Sequence, residues 1–201
     1  MKKIPTLFER EFINHEVVKV LDKVTKGLEW VLEGEGIATL KFDGSCCAVI
    51  NGELYKRYDA KNGKPVPQGA IPCQDKPDAI TGHFPCWLKC SSDNKSDVWF
   101  MRAFEQAKNL YEVVDGTYEA IGLHFQANPY HLGDDVLVKH GTTIIDLPDR
   151  SYNGIRQYLK DNYIEGIVFW KDGEPKCKIK RSDFGFGWKD GKEKDISKDL
   201  K

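Results

Sequence analysis

Along most of this chain apolar and polar residues alternate. In "IATLKFD", residues 37–43, every second position is apolar or small, which is the period of a strand with one covered face. The same alternation predicts strands in "CCAVING" (46–52), "GELYKRYD" (52–59), "GTYEAIGLHF" (116–125), "DVLVKHGTTIID" (135–146), "GIVFWKDG" (166–173) and "PKCKIKR" (175–181). Asn51-Gly52 is a two-residue hairpin signal, and "KDGEP" turns the last two strands onto each other. Two stretches carry a helical period instead. In residues 96–112, Phe100, Phe104 and Ala107 share a face, with Ser96 or Asp97 as N-cap. In residues 151–163, Ile155, Tyr158 and Leu159 do so, with Ser151 as N-cap. "VVKVLDKV" (17–24) fits either period. Residues 62–97 are rich in Pro, Gly, Asp and Ser and read as a long surface excursion, of a length that usually serves a purpose such as a lid. The sum is an α+β domain of antiparallel sheets with flanking helices over residues 1–188, followed by a polar, mixed-charge tail at 189–201.

Composition narrows the classes. The 201 residues are 40% hydrophobic and 30% charged, enough for a sizeable core. No apolar run approaches a membrane span, and the opening "MKKIPTLFEREF" lacks the apolar core of a signal peptide. The six cysteines are therefore expected as reduced thiols and the protein as cytoplasmic, without a membrane partner. Cys73, His83, Cys86 and Cys90 can be drawn as a zinc site, but their spacing matches no standard knuckle. A net charge of −1 gives no global attraction to nucleic acid, so any phosphate site must come from local clustering.

That clustering is present. Lys41 stands inside a strand, followed by Asp43 and Gly44. Glu119 lies within one hydrophobic strand and Glu165 at the mouth of another. Lys176, Lys178 and Lys180 recur at period two, on one strand face, where like charges repel and call for an anion opposite. Glu119 or Glu165 can supply that anion as an ion pair. Alternatively, a polyphosphate supplies it, with a metal ion on the carboxylates.

Lys-x-Asp-Gly, a basic patch, Glu-x-x-Gly, Glu-Gly-Ile-Val and Lys-x-Lys, in that order from 41 to 180, resemble the covalent nucleotidyltransferases, the superfamily of ATP-dependent DNA and RNA ligases and messenger-RNA capping enzymes. The fuller text "EGIATLKFDGSCC" and "ANPYHLGDDVLVKHG" is most similar to the 5′–3′ RNA ligases found also in vertebrates. The resemblance implies a ligase adenylylation fold and an ATP-dependent RNA ligase. Such an enzyme self-adenylylates on Lys41, transfers AMP to an RNA 5′-phosphate and seals that end to a 3′-hydroxyl. It implies that Asp43 and Gly44 shape the loop beside Lys41, and that Arg57, with Lys61 or Lys56 nearby, contacts phosphate or nucleotide. It implies further that Glu119 lies near the ribose or metal, that Glu165 handles the metal, and that Lys178 and Lys180 grip the α-phosphate. ATP and Mg²⁺, or Mn²⁺, are the implied cofactors.

Many relatives carry an arginine soon after the nucleophile motif. Here Cys46 and Cys47 follow Ser45, leaving Arg57 as the candidate. Few residues follow Lys180, so no OB-fold is expected. DNA ligases and capping enzymes generally use one, which favours a compact RNA-end enzyme. Two other readings keep the same scaffold: a nucleotide- or RNA-binding module without turnover, and an RNA end guanylyltransferase. For adenine stacking, Trp87, Phe125 and Phe169 are equal candidates. Trp87 with His83 and Lys89 either holds single-stranded RNA or pins its own loop. No role is assigned to His124, His131 or His140.

Overall fold

A computed structural model describes residues 1–13, 16–61, 64–79 and 81–189. Most of the polar tail, residues 190–201, lies outside the described residues. The strands are β1 (Phe8–Ile13), β2 (Glu16–Val24), β3 (Ile37–Lys41), β4 (Ser45–Ile50), β5 (Glu53–Ala60), β6 (Ile71–Pro72), β7 (Phe84–Lys89), β8 (Gly116–Ile121), β9 (Val136–Lys139), β10 (Gly166–Lys171) and β11 (Glu174–Lys180). The helices are α1 (Val98–Leu110) and α2 (Tyr152–Asp161). These strands pair antiparallel in three sheets, β1-β2, β11-β10-β3 and β6-β7-β5-β4-β8-β9, and no sheet closes into a barrel. The α+β expectation with helices beside antiparallel sheets therefore holds. No described helix is long and apolar enough to cross a membrane.

The chain divides into two compact units, one of residues 1–3 and 43–140, the other of residues 4–42 and 141–201. In the first unit, strand alternation sends Cys47, Val49, Leu54, Tyr118, Ala120 and Leu137 to one face of the six-stranded sheet, where Ala103, Phe104 and Ala107 of α1 cover them. That arrangement uses the helical face read from the sequence. At the start of α1, Asp97 holds the expected N-cap position, but its side chain makes no capping bond. Asn94 accepts from the Ser96 backbone in a short 3-10 turn, while the buried Asp97 carboxylate accepts from Ser91 N–H and pairs with Lys56. Asp97 is thus spent on an ion pair beneath the helix rather than on capping it.

The excursion at 62–97 is corrected in part. It contains β6 and β7, and β7 pairs with β5 along its whole length. "FPCWLK" was obscured by its proline and by the turn residues around it, yet Cys86 and Trp87 are buried. Pro85 is tolerable because it stands near the strand's first residue.

In the second unit the segment 17–24 resolves as strand β2, hairpinned to β1, which the alternation of "FEREFI" also permits. The three-stranded sheet buries Ala38, Leu40, Ile167, Phe169, Cys177 and Ile179, and these are alternate positions on paired strands. Ser151 caps α2 by accepting from Gly154 N–H at 3.1 Å, as expected, and Ile155 and Leu159 are fully buried. Residues 5–7 run along β11, with Leu7 N–H donating to Lys178 C=O at 2.8 Å and Lys178 N–H to Pro5 C=O at 3.0 Å. The edge of the lysine-bearing strand is thereby closed.

Candidate functional site

Because one face of the three-stranded sheet is apolar, the alternate positions form a second, polar face. Lys41 of β3 and Lys180 of β11 stand opposite the same residue, Gly166 of β10, from its two sides. Lys178 lies two positions along, opposite Val168, on that face. Gly166 lets the strands come together. A Cβ there would sit 2.3 Å from Ile179 O and 2.9 Å from Lys180 Cα, so no side chain fits.

Glu165, one residue earlier, bridges the two lysines. Its Oε2 lies 2.6 Å from Lys41 Nζ and its Oε1 2.7 Å from Lys180 Nζ. The carboxylate side chain is 6% exposed, and the two lysine side chains are 21% and 33% exposed, so water screens the ends of the triad while its centre is nearly dry. Lys178 is pulled down to about 8, first by burial, then by the like charges of Lys41, Lys180 and Arg10; Glu165 opposes this. Asp183 steadies the end of β11. One of its oxygens accepts from Lys180 N–H at 2.8 Å and the other from Arg10 Nη2 at 2.8 Å. Arg10 is not singled out by the sequence, because its partner Asp183 is 173 positions away and only the fold brings the two together.

In the first unit, the face of the six-stranded sheet opposite α1 carries Cys46, Thr117, Glu119 and His140. Cys46 of β4 is the cross-strand partner of Glu119 on β8, and His140 follows β9 with its N–H on Thr117 C=O at 3.0 Å. Glu119 Oε2 is 2.9 Å from His140 Nε2, and Glu119 Oε1 accepts from Gly44 N–H at 3.1 Å. His140 Nδ1 is 3.0 Å from Thr117 Oγ1. Burial, and then the Glu119 charge, push the Cys46 thiol up to about 12. Cys46, Glu119 and His140 present ligand atoms within 4.8 Å of one another; among the described residues this is the metal-capable cluster found, and Cys73, His83, Cys86 and Cys90 do not form one. His140 was legible only in part: Val136, Val138 and His140 alternate, but the register that brings His140 opposite Thr117 was not.

Gly44 is required by crowding rather than by a turn. A Cβ would lie 2.2 Å from Ala120 O and 2.6 Å from Ile121 Cγ2. Asp43 N–H donates to the Tyr130 hydroxyl at 2.5 Å. Tyr130 is buried and belongs to a loop in which Gln126, Ala127, Asn128 and His131 all have positive φ, an unusual concentration for residues with side chains. Arg57 of β5 donates to Asp59 Oδ1 at 2.9 Å and to Met1 O at 3.1 Å. Lys61 is exposed beyond the end of β5, and Lys56 points the other way, to Asp97 at the start of α1. Trp87, Phe125 and Phe169 are 6%, 4% and 0% exposed and act as core residues.

The profile of the RNA ligase 1 family matches residues 56–200, a stretch that holds Arg57, Glu119, Glu165, Lys178 and Lys180. Lys41 lies ahead of that stretch. Proteins named RNA ligase 1 are similar over longer spans. The one from Rattus norvegicus is 26% identical, covering 93% of this chain and 82% of its own length. Its counterpart in Mus musculus is 26% identical over 93% and 81%, and that of Pongo abelii 25% over 76% and 68%. With most of its length matched by the profile, the chain belongs to the RNA ligase 1 family.

Proposed function

We propose that this protein is an ATP-dependent RNA ligase that forms a covalent AMP adduct on Lys41, passes AMP to an RNA 5′-phosphate and joins that end to a 3′-hydroxyl. The observation that carries the reading is the face on which Lys41, Lys178 and Lys180 converge on Glu165. Ammonium groups and Arg10 outnumber the acids there, and a polyphosphate supplies the charge they lack.

In the first step the Lys41 amine attacks the α-phosphorus of ATP. An N–P bond forms, the bridging P–O bond to the β-phosphorus breaks, and pyrophosphate leaves with the electron pair. The amine must shed a proton beforehand, and Glu165 Oε2, at 2.6 Å, is its hydrogen-bonded acceptor. Lys178 and Lys180 donate to the phosphate oxygens over which charge spreads. Passage of that proton through Glu165 to solvent breaks the Lys41 ion pair, frees the nitrogen lone pair for in-line attack and leaves Glu165 a carboxylate.

The carboxylate oxygens of Glu165 are hard donors of the kind Mg²⁺ or Mn²⁺ takes. The surplus of cations beside it favours an ion that enters with the triphosphate. When bound, such an ion screens the charge of the departing pyrophosphate. Arg57, Lys61 and Glu119 are assigned to nucleotide contact on the order of motifs, and Asp43 and Gly44 to shaping the chain that follows Lys41. Tyr130 and Glu119 hold the Asp43 and Gly44 backbone N–H groups in the first unit, which supports that shaping role.

The test is incubation with α-labelled ATP or GTP, then gel analysis under denaturing conditions. An AMP adduct that is absent in Lys41→Ala is the expected result. A GMP adduct would point to the guanylyltransferase reading instead, and no adduct to a binding module. Ligation of 5′-phosphorylated RNA against DNA ends then identifies the substrate, with RNA expected.

A further inference from the structure

The thiol of Cys46 on β4, the carboxylate of Glu119 on β8 and the imidazole of His140, just after β9, converge on one face of the sheet, with every pair of ligand atoms within 4.8 Å. A thiolate, an imidazole and a carboxylate are a donor set for a borderline divalent ion, not for Mg²⁺, which takes hard oxygens. We propose that Cys46, Glu119 and His140 bind one divalent transition-metal ion of the Zn²⁺ and Co²⁺ class, with a fourth position open to water or an exchangeable ligand. This inference stands on the donor geometry and does not depend on the ligase reading.

A second observation concerns the imidazole. Thr117 Oγ1 lies 3.0 Å from His140 Nδ1, in the outer-shell position that fixes the ring of a metal-ligating histidine. The ring has two tautomers: Nε2–H donates to Glu119 Oε2 at 2.9 Å while Nδ1 accepts from the Thr117 hydroxyl, or Nδ1–H donates to Thr117 and leaves the Nε2 lone pair facing Glu119. The second tautomer is the ligating one, and a metal ion between Nε2 and Oε2 replaces the proton that the first holds there. The two side chains part by a few tenths of an ångström to admit it, while the strands stay in register, because Cys46 and Glu119 are already cross-strand partners. On ligation the Cys46 thiol proton is released to solvent and the sulfur binds as thiolate. Arg57, the neighbour on β5, is held by Asp59 Oδ1 at 2.9 Å and Met1 O at 3.1 Å.

Titration of the purified full chain with Co²⁺ reads the site directly, since a cobalt–thiolate bond gives a near-ultraviolet charge-transfer band. One equivalent is expected to produce the band. Cys46→Ser should abolish it, and Cys73→Ser should leave it in place. Thr117→Val should weaken Co²⁺ binding about 10- to 100-fold, the usual cost of losing an outer-shell partner. In the unmodified chain, Zn²⁺ should protect Cys46 from iodoacetamide, as read by peptide mass spectrometry, which needs no variant to fold. Absence of the band, a band that survives Cys46→Ser, or Cys46 alkylation at an unchanged rate under saturating Zn²⁺ would each overturn the inference.

Discussion

In the three-stranded sheet one carboxylate, Glu165, stands between two ammonium groups, with Lys178 and Arg10 adding positive charge. In the six-stranded sheet another, Glu119, stands among a backbone N–H, an imidazole and a thiol. Both carboxylates are on or beside strands, both are largely buried, and each uses both of its oxygens. The partners differ, and so does the work each acid does. Glu165 holds like charges together against their repulsion, whereas Glu119 accepts from one backbone N–H and meets an imidazole and a thiol, with no ammonium or guanidinium group hydrogen-bonded to it among the described contacts. A buried region that keeps surplus cations costs stability unless an anion joins it. Such a region therefore speaks for a ligand more strongly than a balanced network does.

The same substitution in both regions separates them. Glu165→Gln removes the charge that Lys41 and Lys180 share, and one amide oxygen cannot serve two ammonium groups. With the lysine ends partly screened, unfolding stability should fall by about 2 kcal/mol, less than the 3–5 kcal/mol of a fully buried pair. AMP-adduct formation should fall at least about 100-fold, consistent with loss of a proton acceptor. Denaturant melts and labelled-ATP assays give both numbers, and an unaffected adduct rate would break the contrast at its stronger end.

Gly44→Ala follows in size. Its Cβ would press on Ala120 O at 2.2 Å, and backbone cannot step aside cheaply. A loss of about 2 kcal/mol is expected from overpacking, readable in the denaturation midpoint. The substitution also shifts the N–H that Glu119 accepts, so adduct formation should slow if Gly44 sets the loop after Lys41.

Lys178→Met should act in the opposite direction on stability. The folded-state pKa of Lys178, about 8, lies below the ordinary lysine value near 10.4, so folding is penalised wherever the amine is charged in both states. The penalty is fully present below pH 8 and fades as pH rises from 8 to about 10.4. The variant should therefore be more stable than the parent at pH 7, with the gain shrinking over that window. Nucleotide-dependent adduct formation should fall throughout. Thermal melts at pH 7, 9 and 10.5 test the sign; a gain that grows with pH would refute it.

The smallest effect belongs to Glu119→Gln. The amide oxygen can accept from Gly44 N–H and the amide N–H can donate to His140 Nε2, so stability should change by no more than about 0.5 kcal/mol. A loss as large as that of Glu165→Gln would erase the distinction between the two sheets.

Much of this was readable from residue order. Alternation in "IATLKF" and "PKCKIKR" assigned Lys41, Lys178 and Lys180 to polar positions, and Ser151 marked the start of α2. The excursion at 62–97 hid β7, because strand signals fade when a proline and clustered turn residues interrupt them. Asp97 resembled a helix cap and proved to be the partner of Lys56, a residue 41 positions away. The sequence left Glu119 and Glu165 as equal candidates for the lysines; in the fold, Glu165 takes Lys41 and Lys180 while Glu119 takes His140.

Residue order alone thus determined which side chains share a strand face, since successive residues of an extended backbone point to opposite sides whatever the strand pairs with. Tertiary structure decided which faces meet. Opposing Gly166 to both Lys41 and Lys180, or Cys46 to Glu119, depends on register between strands far apart in the chain, and register is set by packing and close backbone approach summed over the whole sheet.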